Sequence, residues 1–180
     1  MKTFIEMEQQ IFREEMVVNA LKLWCSNVEL ICKIHAEGGD ITYAANKVLS
    51  DNYDYDQGKV LFKPTLAFGP QTFRSTKEGA LAYFIGGNSD FLDDKGLKLK
   101  PWVKVWFNKL DYVLQNDVAI VQCSVHFLGS DDCHLFVNKS FVLKICDDDD
   151  RVRVVPHQSS LLSGRVLPHD AKEPQYHLSN

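Results

Sequence analysis

The sequence predicts an α+β protein with helices first and a long antiparallel meander after them. Three observations carry this. Apolar residues recur at helical spacing early in the chain, at Ile11, Phe12, Met16, Leu23, Trp24, Val28, Ile31 and Ile34. From Pro101 onward the chain turns into runs of aromatic and β-branched residues, with turn residues between them. Between the two halves lie one short strand pattern and one capped helix pattern. An antiparallel sheet of this kind has one face for helices to cover, and if it curves the two enclose a cone whose open end holds ligands.

The chain has 180 residues, which fits one domain over 1–162 followed by a polar tail over 163–180. A net charge of -4, with dispersed lysines and arginines, argues against a nucleic-acid partner. No apolar run approaches the roughly 18 residues of a membrane span. The first residues, Met1-Lys-Thr-Phe-Ile-Glu-Met-Glu8, place acids where a secretion signal has its apolar stretch. Cys25, Cys32, Cys123, Cys133 and Cys146 are odd in number, widely spaced and without a CxxC. They read as reduced core thiols, and the expected location is cytoplasmic.

Taken in order, the helical stripe runs from Phe4 to His35 and stops at Gly38-Gly39. Asp40 caps a second helix through Tyr43, Ala44, Ala45, Val48 and Leu49. Asp51-Asn-Tyr-Asp-Tyr-Asp-Gln-Gly58 begins like a calcium loop, but no glutamate closes it, so it reads as a solvated turn. Lys59–Ala67 reads as a strand that Pro64 confines to an edge or an end, with Leu61, Lys63 and Thr65 on one face. Ser75-Thr-Lys-Glu78 is a capping box opening a helix through Phe84, closed by Gly86-Gly87. A polar loop covers Asn88–Lys100.

The meander then has strands over Trp102–Leu114, Val118–Leu128, Leu135–Ile145 and from Arg151 onward. Trp102 and Trp106 share a strand face by alternation. The four aspartates Asp147–Asp150 form a hairpin turn and not a metal site, because consecutive turn residues cannot all converge on one ion. Val113, Ile120, Leu128 and Phe136 add apolar residues to the second phase of the strands. That pattern predicts sheet-to-sheet pairing into a homodimer or higher homo-oligomer.

The last strand, Arg151-Val-Arg-Val-Val-Pro-His-Gln-Ser-Ser-Leu-Leu162, groups reactive side chains most tightly. Strict alternation puts Val155, His157, Ser159 and Leu161 on one face and Val154, Pro156, Gln158 and Ser160 on the other. His157 and Ser159 then sit side by side as candidate pocket residues.

The order of elements resembles the nuclear-transport-factor-2-like superfamily, with its SnoaL-like proteins and the calcium/calmodulin-dependent kinase II association domain. Leu61-Phe-Lys-Pro-Thr65, Tyr83-Phe-Ile-Gly-Gly87 and the terminal His157-Gln-Ser-Ser160 more closely resemble the iota-class carbonic anhydrase family. The likeness covers roughly Tyr53 to Leu162. It implies reversible hydration of carbon dioxide, with bicarbonate held in the cone mouth by Thr65, Tyr83 and Ser159, and with His157 joining them in catalysis. No cofactor is expected, although the resemblance leaves manganese open. Gln158 stands where the family has a second histidine, and Leu162 where a proline is usual. Alternation places Gln158 away from the pocket.

His35, His126, His134 and His157 fall on different elements without the spacing of a three-histidine zinc site. Hydroxyls that orient water and stabilise a bicarbonate-like transition state supply another route. His157 is then the group whose ordinary pKa suits proton transfer. Two alternatives stand beside this reading: a non-catalytic small-ligand-binding or oligomerising association module, and a SnoaL-like isomerase or hydratase.

Overall fold

A computed structural model describes residues 11–96, 101–146 and 149–161. Three helices, α1 (Glu14–Ala36), α2 (Ile41–Asn52) and α3 (Lys77–Ile85), cover one face of a five-stranded sheet. The strands are β1 (Leu61–Lys63), β2 (Trp102–Gln115), β3 (Val118–Gly129), β4 (His134–Ile145) and β5 (Val152–Leu161). Their order is β1-β5-β4-β3-β2, with β2 to β5 an antiparallel meander and β1 parallel to β5 at the edge. The α+β class, the meander and the edge placement of the Pro64 strand are as the sequence predicts. Among the described residues no helix is long and apolar enough to cross a membrane.

The core lies between α1, α2 and the inward phase of the strands. Val17, Leu21, Trp24, Val28 and Ile31 on α1 face Val105, Val121, Val125, Phe141 and Leu143. The helical period is right, but Ile11 and Leu23 are exposed, so the buried stripe is centred one residue off the expected one. The start of the predicted helix, before residue 11, lies outside the described residues, as do Leu162 and the 163–180 tail. Asp40 caps α2 by accepting from the Tyr43 amide at 2.9 Å. In α3 the cap is Thr76, one residue later than the capping box predicts, accepting from the Gly79 amide at 3.2 Å.

Several face assignments need correction. The Asp51–Gly58 segment is not a solvated turn throughout. Tyr53 is fully buried there and pairs through its backbone with Val154. β1 is only three residues long, because the chain bends after Pro64. Trp102 and Trp106 do not share a face: a register shift between Trp102 and Lys104 turns Trp102 inward onto Phe127 and Trp106 outward onto His126. In β5 a bulge opposite Val142 inserts one residue at the Val155-Pro156 step. Val154, not Val155, is therefore the buried partner of His157 and Ser159. A proline has no ladder donor to lose at such a bulge, and bulges bend a sheet.

The bend and the loop after α3 shape the open end of the cone. Gly86 and Gly96 both have positive φ, and a Cβ on Gly96 would sit 2.6 Å from the Ile85 carbonyl carbon. Glycines there let the Asp93–Gly96 segment fold back on the end of α3. A buried ion pair fixes it, with Arg74 Nη2 donating to Asp94 at 2.9 and 3.1 Å and the guanidinium stacked over Phe91. On the far side of the sheet Val113 and Ile120 are exposed, while Trp106, His126 and Phe136 stack ring on ring. His126 and His134 come within 3.0 Å there, a pairing that their separate strands do not announce. In the aspartate turn Asp149 binds Arg151 and Arg153, and Asp147 and Asp148 lie outside the described residues.

Candidate active site

A pocket of about 390 Å³ occupies the open end of the cone. Thr65 and Tyr83 supply its hydroxyls, while Trp102, Phe127, Val137 and Leu161 supply apolar wall. The Asp93–Gly96 segment forms its rim. A second cavity, of about 510 Å³, opens on the opposite face of the sheet near Leu61, Phe73, Ile120 and Gln158. It is the larger and His157 is among its lining residues, yet none of Thr65, Tyr83 and Ser159 reaches it, so size alone does not locate the chemistry. Gln158 is exposed on that face, away from the hydroxyl pocket, as alternation places it.

Thr65 reaches the pocket because the strand ends. Continued alternation keeps it on the outward side with Leu61; the bend after Pro64 turns it instead toward β5. Its Oγ1 lies 2.6 Å from Ser159 Oγ, one of the two sharing its hydrogen with the other. Tyr83 projects from α3, edge-on to Phe62, and its hydroxyl accepts weakly from the Leu66 amide at 3.5 Å. Burial raises the Tyr83 pKa above its usual value, so the phenol stays protonated at neutral pH. Thr65 and Tyr83 thus face the pocket directly, and Ser159, 1% exposed, stands one hydrogen bond behind Thr65.

His157 lies deeper still. β-register places it between Phe62 on β1 and Phe141 on β4, and its ring stacks on both at centroid distances of 4.8 and 4.4 Å. Burial between two phenyl faces, with Lys139 alongside, pushes its pKa well below the ordinary value of 6.5. His157 is neutral at pH 7 and makes no direct approach to the pocket.

Its neighbours form a continuous chain. Trp24 Nε1 donates to Tyr53 Oη at 2.9 Å, and Tyr53 Oη shares a hydrogen bond with His157 Nδ1 at 2.9 Å. His157 Nε2 is 3.1 Å from Lys139 Nζ, which in turn donates to Ser159 Oγ at 3.2 Å. The lysine nitrogen also lies 4.6 Å from the centre of the Trp24 ring. Trp24, Tyr53 and Lys139 are the three residues of this hydrogen-bonded chain that the sequence alone did not single out as site residues.

Lys139 is 5% exposed, and no carboxylate is among its hydrogen-bond partners in the described residues. Burial lowers its pKa to about 7. The thiols packed near it do not supply a counter-charge. Burial pushes Cys123, its cross-strand partner on β3, up to about 12, and raises Cys25 on α1 further. Two hydrogen arrangements satisfy the chain. With a neutral amine whose lone pair faces His157, Tyr53 donates to Nδ1, and Nε2–H donates to Nζ. With an ammonium, or a neutral amine whose lone pair faces Ser159, Nζ donates to Nε2, and Nδ1–H donates to the Tyr53 oxygen.

Among the described residues no three His, Cys, Asp or Glu side chains gather in a way that holds a metal ion. The arrangement can bind a small oxyanion at its hydroxyls and hold an apolar molecule against its wall.

A family model described as metal-independent carbonic anhydrase matches residues 15–161. A curated metal-independent carbonic anhydrase from Nostoc sp. (strain PCC 7120 / SAG 25.82 / UTEX 2576) is 35% identical over 150 residues, covering 82% of this chain and 73% of the relative. The crystal structure of an iota-carbonic anhydrase from a cyanobacterium, complexed with bicarbonate, superposes with a TM-score of 0.83 at 33% identity. It covers 92% of this chain and 100% of that one. An NTF2-like protein with a cystatin-like fold from Novosphingobium aromaticivorans shares the fold at a TM-score of 0.53 and 9% identity, over 84% of this chain and 82% of that one. On the match of its sequence and fold, the chain belongs to the metal-independent carbonic anhydrase family.

Proposed function

We propose that this protein interconverts carbon dioxide and bicarbonate in the pocket of Thr65 and Tyr83. The observation that carries the reading is the hydroxyl pair Thr65–Ser159, 2.6 Å apart, set beside an apolar wall. Carbon dioxide is apolar and suits Trp102, Phe127 and Val137. Bicarbonate and the transition state leading to it carry growing negative charge on oxygen, which O–H donors stabilise. Tyr83 presents such a donor, Thr65 lies beside it to hold the attacking water, and Ser159 holds Thr65 in place. Family membership and the bicarbonate-bound relative support the assignment.

The reaction in this reading uses water without a metal cofactor, in keeping with the family's name. Thr65 orients the water, whose oxygen attacks the carbon held at the apolar wall. Tyr83 donates to the oxygen that becomes negative. The active unit is a homodimer paired through the outer sheet face, where Val113 and Ile120 are exposed. The reduced, mostly buried thiols favour a reducing compartment such as the cytoplasm.

The test is stopped-flow carbon dioxide hydration by the purified protein and by Thr65→Val and Tyr83→Phe. Activity that falls in both variants while the fold persists supports the reading. Unchanged rates in both remove these side chains from the reaction.

A further inference from the structure

Hydration releases a proton, and the titratable groups nearest the hydroxyl pair on α3, the rim ion pair and β5 are poorly placed to take it. Tyr83 is protonated, with its pKa raised by burial. Asp94 is closed in its ion pair with Arg74. His157 is buried, bonded at both ring nitrogens, and disfavours a charge.

We propose that Lys139 is the proton acceptor of the reaction, working through Ser159 and Thr65, and that Trp24, Tyr53 and His157 form a closed backing that positions its amine. The inference rests on the hydration reading above. Its geometry is the unbroken series from Thr65 Oγ1 to Ser159 Oγ at 2.6 Å and on to Lys139 Nζ at 3.2 Å.

The step balances without any further reagent. As the water oxygen bonds to the carbon of carbon dioxide, one water O–H breaks and its proton passes to Thr65 Oγ1. The Thr65 hydrogen moves to Ser159 Oγ, and the Ser159 hydrogen forms a new N–H bond with the lone pair of Lys139 Nζ. The products are bicarbonate and the Lys139 ammonium. That cation sits against the Trp24 π face and donates to His157 Nε2, as the free base does while its lone pair faces Ser159, so the ring hydrogen stays on Nδ1 facing the Tyr53 oxygen throughout. In the dehydration direction the same ammonium returns its proton to bicarbonate.

The backing is closed for a chemical reason. The series ends at the Trp24 indole, which donates but has no lone pair with which to accept. A proton on Lys139 therefore has no exit at the Trp24 end and leaves by the hydroxyls, toward the pocket. The groups that face the amine are Cys25 and Trp24 from α1, Cys123 from β3, and His157 and Ser159 from β5. None of them carries a negative charge at neutral pH, so the free base is accessible there. An acid–base group tuned near the working pH serves both directions.

The test pairs kinetics with a direct titration. Lys139→Met is expected to lower kcat/KM for hydration by about 100-fold or more and to flatten its rise through neutral pH, with bicarbonate still bound. Lys139→Arg keeps a positive charge that cannot be given up, and is expected to fail as badly. Rescue by arginine, or a full rate in the methionine variant, overturns the proposal. Carbon-13 NMR of lysine-labelled wild type is expected to show one Cε signal titrating near neutral pH and missing in Lys139→Met. A signal charged through pH 9.5 overturns the proposal even if the variants fail to fold. Wild type without any hydration activity overturns the functional reading instead, while the lysine titration still reports on the amine.

Discussion

Thr65 and Ser159, 94 positions apart in the chain, hold their hydroxyl oxygens 2.6 Å apart at the floor of the pocket. Neither residue does this alone: β1 has to end at Lys63 and bend, and β5 has to carry its bulge, before the two meet. The pair joins the solvent-facing pocket to the buried Ser159–Lys139–His157 chain.

Removing either hydroxyl tests the pair. Thr65→Val keeps the shape and deletes the hydroxyl, and Ser159→Ala leaves Lys139 Nζ without its hydroxyl partner. Each is expected to cut kcat for hydration by about 10²–10³, within the range for losing one positioned proton-transfer group. Stopped-flow rates for two variants with wild-type circular dichroism are the check.

Lys139 makes stability depend on pH in a definite direction. Its folded-state pKa is lowered to about 7, below an unfolded value of about 10.4. Between those values the unfolded chain binds more protons, so its share of stability rises with pH, by up to about 1.4 kcal/mol per unit. Lys139→Met removes this dependence. The variant is expected to be more stable than wild type near pH 7, with the advantage shrinking toward pH 10. Urea unfolding at pH 7, 8 and 9 measures it; parallel curves contradict a neutral buried amine.

The rim of the pocket depends on the Arg74–Asp94 pair, both side chains at most 4% exposed. Asp94→Asn leaves a buried guanidinium uncompensated and is expected to destabilise the fold by about 3–5 kcal/mol. Thermal or denaturant unfolding reads this directly. A change of less than about 1 kcal/mol contradicts the burial argument.

Gly96→Ala tests the fold-back of the same rim. The position combines a φ of 79° with a Cβ site 2.6 Å from backbone carbon, so the segment has to move. Loss of bicarbonate affinity with the melting temperature lowered by a few degrees is the expected result, by calorimetry on the variant.

The fold was largely legible because its signals are periodic: a helical stripe, four alternating strands and caps at Asp40 and before Gly79. What the sequence hid were the places where period two breaks. Alternation cannot locate the bulges at Val103 and Pro156, so it misplaced Trp106 and Val155. It also gave no reason for Thr65 to turn inward. Tyr53 looked solvated because three aspartates surround it, yet a single buried tyrosine is enough to anchor that loop. Lys139 was legible in principle. It stands in phase with Val137, Phe141, Leu143 and Ile145, a charged residue in the middle of an inward apolar face. Such a residue is either paired or neutral, and here it has no carboxylate partner among its hydrogen bonds.

The proposed reaction is hydration of carbon dioxide by this pocket's own side chains and water. Stopped-flow hydration by protein treated with a strong chelator, before and after adding manganese, tests it most directly. The account predicts a rate that survives chelation and is unchanged by manganese. A rate that vanishes on chelation and returns with manganese would contradict it.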